Sequence, residues 1–368
     1  MTAVLDQLID IRSRLDSAIS QLSNGPVDPP PADWNVPTMT LAGEAGYLCE
    51  PQLIECQNGD ILCFYRRGTA HISNGADVRC RRSTDRGVTW GEPVTIQAID
   101  GRDCRNPAAG ITPTGRVLLF TRSTNGAATD KHWRHYSDDN GLTWVTDEFS
   151  PTSSGVAFGR VVETSNGLMR TCYLGNKIIA EFSTDNGLTW GNPTYPWNQS
   201  QSGATFTEPF AVALDANRIV IVMRDDKDGG RYFWSKSADG GLTWASGPAA
   251  TSARWTNTFL NGAAPTSLVL RGDDVYFAWD GRPLVFKGYY TKTDKEILWA
   301  NPHKAWQAGS GLTAHHIHTS IVAGGGSATV SEYGYSNLLS IGEGVLCAWY
   351  DSKTGSGTSE CRIMLQSL

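Results

Sequence analysis

The sequence predicts an all-β fold: a six-bladed β-propeller of four-stranded antiparallel blades, preceded by a short N-terminal coiled-coil helix. Three observations carry this. One eight-residue phrase recurs: S-T-D-R-G-V-T-W ending at Trp90, S-D-D-N-G-L-T-W at Trp144, S-T-D-N-G-L-T-W at Trp190 and S-A-D-G-G-L-T-W at Trp244. The copies return roughly every 50 residues, the period of propeller blades and arrayed units. Strand patterns between the copies align at fixed offsets. The composition suits a turn-rich β protein, with 39 glycines among 368 residues and only 18% charged side chains.

The repeated phrase reads as a tight turn between strands. Its Asp can accept hydrogen bonds from backbone N–H groups of its own loop. The Gly two residues later supplies a positive φ that other residues resist. Thr and Trp then open the returning strand, with the indole packed over the turn. These aspartates are expected to hold the fold and not to do chemistry. An eroded fifth copy keeps Asp294 and Trp299 at the same offset.

Residues 1–24 carry the one strong helical signal. Val4, Leu8, Ile11, Leu15, Ala18 and Leu22 follow the alternating steps of a coiled-coil seam, which points to a self-associating stalk. Residues 25–37 are a Pro-rich neck, N-G-P-V-D-P-P-P-A-D-W-N-V-P with its leading Asn, stiff and extended. Residues 38–368 form the propeller. The net charge of −6 argues against a general nucleic-acid binder. No apolar run reaches membrane-spanning length. Asp6, Asp10, Arg12, Arg14 and Asp16 break any signal-peptide pattern. The eight cysteines form no C-x-x-C pair and read as reduced core residues. His315, His316 and His318 fall in an expected loop before the last blade, so no metal site and no cofactor are assigned.

The units begin near Cys49, Arg105, Phe158, Phe206, Ala263 and Tyr335. C-E-P-Q-L-I-E-C-Q-N-G-D-I-L-C-F-Y-R-R from Cys49 and R-N-P-A-A-G-I-T-P-T-G-R-V-L-L-F-T-R from Arg105 place Pro, Gly and Phe identically. The strand near Thr38 is expected to complete the last blade and close the ring. In such a ring the first strand of each blade lines the channel. Cys49 and Glu50, Arg105 and Asn106, Gly159 and Arg160, Thr207 and Glu208, Ala263 and Ala264, and Tyr335 and Ser336 then converge at one mouth. The far ends of the second strands bring Arg66, Arg67, Arg122, Arg224, Arg282 and Asp351 to the same face. Guanidinium groups gathered there suit an anion, carboxylate above all. Ion pairing of these arginines with Glu50, Glu208 and neighbouring aspartates is the competing reading.

The repeated phrase is similar to the Asp box of the sialidase superfamily, and the resemblance covers about residues 47–368. That family places a Glu sixteen residues before an Arg, as Glu208 and Arg224 stand here. It carries a nucleophilic Tyr in Y-S-x-L, matched at Tyr335, Ser336 and Leu338. The resemblance implies Tyr335 as nucleophile, Glu208 as its base, Asp77 as acid/base, and Arg224 and Arg282 as carboxylate clamps. The family's Arg-Ile-Pro phrase is replaced by Cys49-Glu50-Pro51, so Arg105, Arg66 and Glu50 complete the implied substrate site. The overall layout resembles a bacteriophage tail or spike receptor-binding protein: a homotrimer through residues 4–22, folded in the host cytoplasm, attached to other virion proteins by its N-terminal segment, and binding a cell-surface glycan or acidic polysaccharide. Two alternatives stay open, an active glycosidase with a Tyr nucleophile and a non-catalytic bacterial propeller with a vestigial site.

Overall fold

The computed structural model describes residues 34–126, 128–198, 205–225, 231–246, 265–280, 287–305, 314–319, 333–342, 344–352 and 361–368. The expected helix over 4–22, most of the neck, Ala263, Ala264 and Arg282 lie outside them. The described residues are nearly all strand, in small antiparallel sheets arranged as in a propeller.

β1 (Met39–Ala42) pairs with the last strand of the chain. The first unit is β2 (Tyr47–Glu55), β3 (Ile61–Gly68), β4 (Asp77–Ser83) and β5 (Val94–Gln97). The second is β6 (Asp103–Ile111), β7 (Val117–Asn125), β8 (Ala128–Ser137) and β9 (Val145–Phe149). The third is β10 (Val156–Thr164), β11 (Gly167–Leu174), β12 (Lys177–Ser183) and β13 (Gly191–Asn198). Then come β14 (Phe206–Ala213), β15 (Ile219–Asp225), β16 (Arg231–Ser237) and β17 (Ala245–Ser246). The fifth unit has β18 (Ser267–Arg271), β19 (Asp274–Asp280), β20 (Lys287–Asp294) and β21 (His315–Thr319). The last has β22 (Tyr333–Ile341), β23 (Gly344–Ser352) and β24 (Cys361–Ser367), completed by β1 on β24.

Six separate blades were the expectation. The hydrogen bonding instead gives four four-stranded sheets and one eight-stranded sheet, because β6 and β10 share a parallel bridge between Ala109 and Arg160. Gly110 permits it: a Cβ there would stand 2.5 Å from that of Val161. The first strands β2, β6, β10, β14, β18 and β22 each contact the next, and β22 contacts β2. Apolar clusters lie between neighbouring units, such as Val36, Leu41 and Tyr65 with Ile363 and Leu365 across the chain's ends.

The repeated phrase folds as read. Asp85 Oδ1 accepts from the Thr89 N–H at 2.8 Å and Oδ2 from the Thr89 hydroxyl at 2.5 Å, while the Trp90 indole donates to the Gly87 carbonyl at 3.0 Å. Asp139, Asp185 and Asp239 repeat the carboxylate pattern. Each turn presses on the preceding unit. A Cβ on Gly141 would meet Leu62 at 2.6 Å, one on Gly187 would meet Leu118 at 2.6 Å, and one on Gly87 would meet Leu346 of the last unit at 3.1 Å. The phrase is therefore a clasp between units as well as a turn.

Two local expectations are corrected. The eroded copy is no turn: Asp294 caps α1 (Lys295–Ala300), accepting from the Glu296 N–H at 2.8 Å, and α2 (Pro302–Ala305) follows. A short side chain with oxygens serves either purpose. His315, His316 and His318 lie on strand β21 and not in a loop. Alternation parts His315 from His316, the first stacking on Tyr290 at 4.9 Å and the second meeting Tyr289 edge-on at 5.9 Å. Among the described residues no three His, Cys, Asp or Glu side chains are placed to hold a metal. All eight cysteines are buried and unbridged.

Candidate active site at the mouth of the ring

Five of the six first strands break register at one equivalent place. The shifts fall between Cys49 and Gln52, Arg105 and Ala108, Phe158 and Val162, Thr207 and Phe210, and Gly334 and Asn337. At each bulge one residue takes a left-handed backbone: Glu50 (φ 59°), Asn106 (54°), Gly159 (79°), Glu208 (50°) and Tyr335 (56°). For a non-glycine residue this costs on the order of 1 kcal/mol or more, and such strain gathers at functional sites. The extra residue re-aims the side chain. Glu50, Asn106 and Glu208 each precede the proline that recurs at one offset in these units, although a following proline by itself favours extended backbone.

Units four and six meet through Tyr335 and Glu208. The Tyr335 hydroxyl donates to Glu208 Oε1 at 2.6 Å, and Arg224 Nη1 donates to Glu208 Oε2 at 2.6 Å. The residues after Tyr335 are bolted to both neighbours. Ser336 donates from N and Oγ to Asp280 at 3.1 and 3.0 Å, Asn337 Nδ2 donates to Gln52 Oε1 at 3.0 Å, and Asn337 Oδ1 accepts from the Leu53 N–H at 2.9 Å. The phenol ring packs against Phe158 and Tyr350 with centroids 6.2 and 5.8 Å away. Burial, with the Glu208 and Glu50 carboxylates beside it, pushes the Tyr335 hydroxyl well above its ordinary value. It rests as a neutral donor.

Units one and two supply a second, closed set. Glu50 Oε1 accepts from Arg105 Nη2 at 3.1 Å and Oε2 from the Asn106 N–H at 2.7 Å. Arg66 forks onto Asp103 at 2.7 and 2.8 Å and also donates to the Ala70 carbonyl at 3.0 Å. Arg105 reaches Asp103 at 3.6 Å. Burial alone would raise Glu50; the Arg105 and Arg66 guanidiniums and the Asn106 N–H outweigh it and hold the carboxyl below its usual range. Burial, then Glu50, pushes the Cys49 thiol up to about 12. Ion pairing, the competing reading for these arginines, holds here and also for Arg224 on Glu208.

The structure thus gathers Tyr335, Glu208 and Arg224 in one group and Glu50, Arg105 and Arg66 in another. Asp77 joins neither. It opens β4 and accepts from Arg79 at 2.8 and 3.1 Å and from Arg67 at 3.3 Å. The sequence reading did not single out Tyr173. Its ring lies 6.5 Å from that of Phe158, and burial with the Glu208 and Glu50 charges pushes its hydroxyl up. Its signal was positional, since Tyr173 fills in unit three the second-strand place that arginines fill in units one, two and four. Arg160 crosses the channel, donating from Nη2 to the carbonyls of Leu53 at 3.1 Å and Leu338 at 2.6 Å.

Comparisons with known proteins agree with this architecture. The family profile of the BNR repeat-like domain matches residues 49–346. A sialidase of Clostridium perfringens is 30% identical over 241 residues, which is 54% of this chain and 60% of that protein, so the chain spans less than two thirds of the curated relative. A Dyadobacter fermentans protein of unknown function superposes with a TM-score of 0.71 at 18% identity, over 90% of this chain and 98% of its own. The NanB sialidase of Streptococcus pneumoniae superposes with a TM-score of 0.64 at 12% identity, over 95% and 72%. These structural likenesses speak to the fold.

Proposed function

The chain belongs to the BNR repeat-like domain family, and from that premise we propose that its mouth is a sialidase-type pocket for an acidic sugar, with Tyr335 as nucleophile and Glu208 as base. The observation that carries this is the 2.6 Å hydrogen bond from the Tyr335 hydroxyl to Glu208. We read the eight-stranded sheet as two blades, which makes the ring six-bladed.

A sugar with a carboxylate at its anomeric carbon repels an anionic nucleophile, and a neutral phenol avoids that repulsion. Phenol attacks poorly until a base takes its proton. Glu208 stands on that proton, so the O–C bond to the sugar forms as the proton passes to Oε1 and the bond from the anomeric carbon to the leaving oxygen breaks. Water then displaces the Tyr335 oxygen, which takes its proton back from Glu208, and the proton lost by the water goes to the departed leaving group or to solvent. Arg224 neutralises the other oxygen of Glu208 and stands where the sugar carboxylate would meet a guanidinium. The leaving group also needs a proton, and Asp77 is held between Arg67 and Arg79. Aryl glycosides, whose leaving group needs none, are therefore the substrates that turn over, while alkyl-linked acidic glycans are bound and released intact.

The test pairs methylumbelliferyl sialoside with sialyllactose, and adds a difluorinated sialic acid that traps the glycosyl-enzyme. Fluorophore release and a covalent adduct on Tyr335 by mass spectrometry are expected. Binding of sialyllactose with no fluorophore release from the aryl sialoside and no adduct from the difluorinated sugar would overturn the nucleophile assignment.

The stalk enters the proposal on sequence alone. Several heads on the seam of residues 4–22 would raise avidity for a repeating glycan, as on a phage attachment protein. Light scattering of the full chain should give three times 39.9 kDa. A monomer mass would remove the stalk.

A further inference from the structure

Arg66, Arg122, Tyr173 and Arg224 occupy equivalent places near the far ends of β3, β7, β11 and β15, in four consecutive units. Two of the three arginines are held by carboxylates, Arg66 by Asp103 and Arg224 by Glu208. Arg122 is held differently. Its Nε donates to the Asn106 side-chain oxygen at 2.7 Å and its Nη1 to the Thr129 hydroxyl at 2.7 Å. Both acceptors are neutral, and among the described residues no carboxylate pairs with it and Nη2 has no acceptor. The guanidinium is half-buried. Among the described residues nothing neutralises it, and an anion from outside would do so.

Its position relative to the reactive pair follows from Tyr173. The charges of Glu208, Arg122, Glu50 and Arg105 all act on that hydroxyl. The Tyr173 ring touches Phe158, and Phe158 touches Tyr335. Arg122 therefore faces the same mouth from unit two, with unit three between it and Arg224. Asn106 fixes the fork: its left-handed backbone sits on the bulge, and its side chain takes Nε.

We propose that Arg122 anchors a second anionic group of the ligand, distinct from the carboxylate taken by Arg224, and makes the pocket selective for di-anionic sugars. The second group is a carboxylate on an adjoining acidic residue or a sulfate on the same sugar; a planar guanidinium fork suits either. This rests on reading the mouth as an acidic-sugar pocket.

Calorimetry on the full chain tests it with three probes: the methyl glycoside of sialic acid, its disialyl homologue and its singly sulfated counterpart. At least one di-anionic probe should bind about tenfold more tightly than the methyl glycoside, with the gain shrinking as salt rises. Arg122→Gln should erase the gain and leave the methyl glycoside within about twofold of wild type; Arg122→Lys should keep part of it. Equal affinity of wild type for all three probes would overturn the inference, and that comparison stands even where a variant fails to fold. So would an equal loss on all three in a folded Arg122→Gln. Failure of wild type to bind even the methyl glycoside would overturn the acidic-sugar reading, and this inference with it. The two arms of the di-anionic pair separate carboxylate from sulfate.

Discussion

Glu50 and Glu208 occupy matching places in units one and four, each on a left-handed bulge residue, each before a proline and each beside an arginine. Their surroundings part them. Glu50 takes a guanidinium and a backbone N–H, Arg105 and Asn106, neither of which gives up a proton at any working pH. Glu208 takes a guanidinium and a phenol, and the phenol can give one up. One backbone device thus builds a fastening in the first case and a base in the second. Local geometry sets where a carboxylate points, and the partner across the ring sets what it does.

The comparison can be broken in several ways. Tyr335→Phe should abolish aryl-sialoside turnover while glycan affinity stays within about twofold, because only the attacking oxygen is lost. Parallel loss of both would place Tyr335 in binding. Glu50→Ala should lower unfolding free energy by about 3–5 kcal/mol, since it strands the buried Arg105; Glu208→Gln should cost about 1 kcal/mol or less in stability yet reduce turnover about 10²–10⁴-fold. Urea denaturation beside initial rates reads both, and similar stability losses would erase the distinction. Arg224→Ala should weaken acidic glycans about tenfold and leave neutral ones unchanged on a glycan array. The smallest effect is in acid. A depressed folded value for Glu50 contributes stability that is present above the ordinary carboxylate value of about 4.3 and is lost as pH falls through the lower folded one. Glu50→Gln should therefore show a shallower acid limb, and superimposable limbs would show that the pair contributes nothing there.

Much of the site was legible because repetition makes equivalence readable. Aligning the units put Glu50, Asn106 and Glu208 in one row, and the left-handed backbone falls there; the alignment set Gly159 and Tyr335 one place early, in line with Cys49, and the structure moves both into the row. The Glu208–Arg224 offset also has a physical basis, since Thr207 pairs with Arg224 across the β14–β15 hairpin. Asp77 shows the limit of the method. It was the acidic residue available between Arg67 and the first repeat, but the register of β4 against β3 sets it opposite Arg67, and Arg79 lies two residues along the same strand. No count along the chain shows which neighbour will occupy a carboxylate. Tyr173 went unread because its row was identified by charge, and a phenol carries none.

From the sequence by itself came the all-β class, the unit boundaries, the clasp of Asp85 and its copies, and the row of mouth residues. All of these rest on contacts within a few residues or on a repeated offset, where chain order is enough. Only the tertiary structure decided that Tyr335 meets Glu208, that Arg105 is spent on Glu50, that β6 and β10 merge their sheets, and that the partners of Arg122 among the described residues are neutral. Each joins different units or depends on which side chains a neighbouring unit brings. Such proximity is set by how the ring packs, through approaches as fine as the missing Cβ of Gly110 against Val161, and chain order carries no record of it.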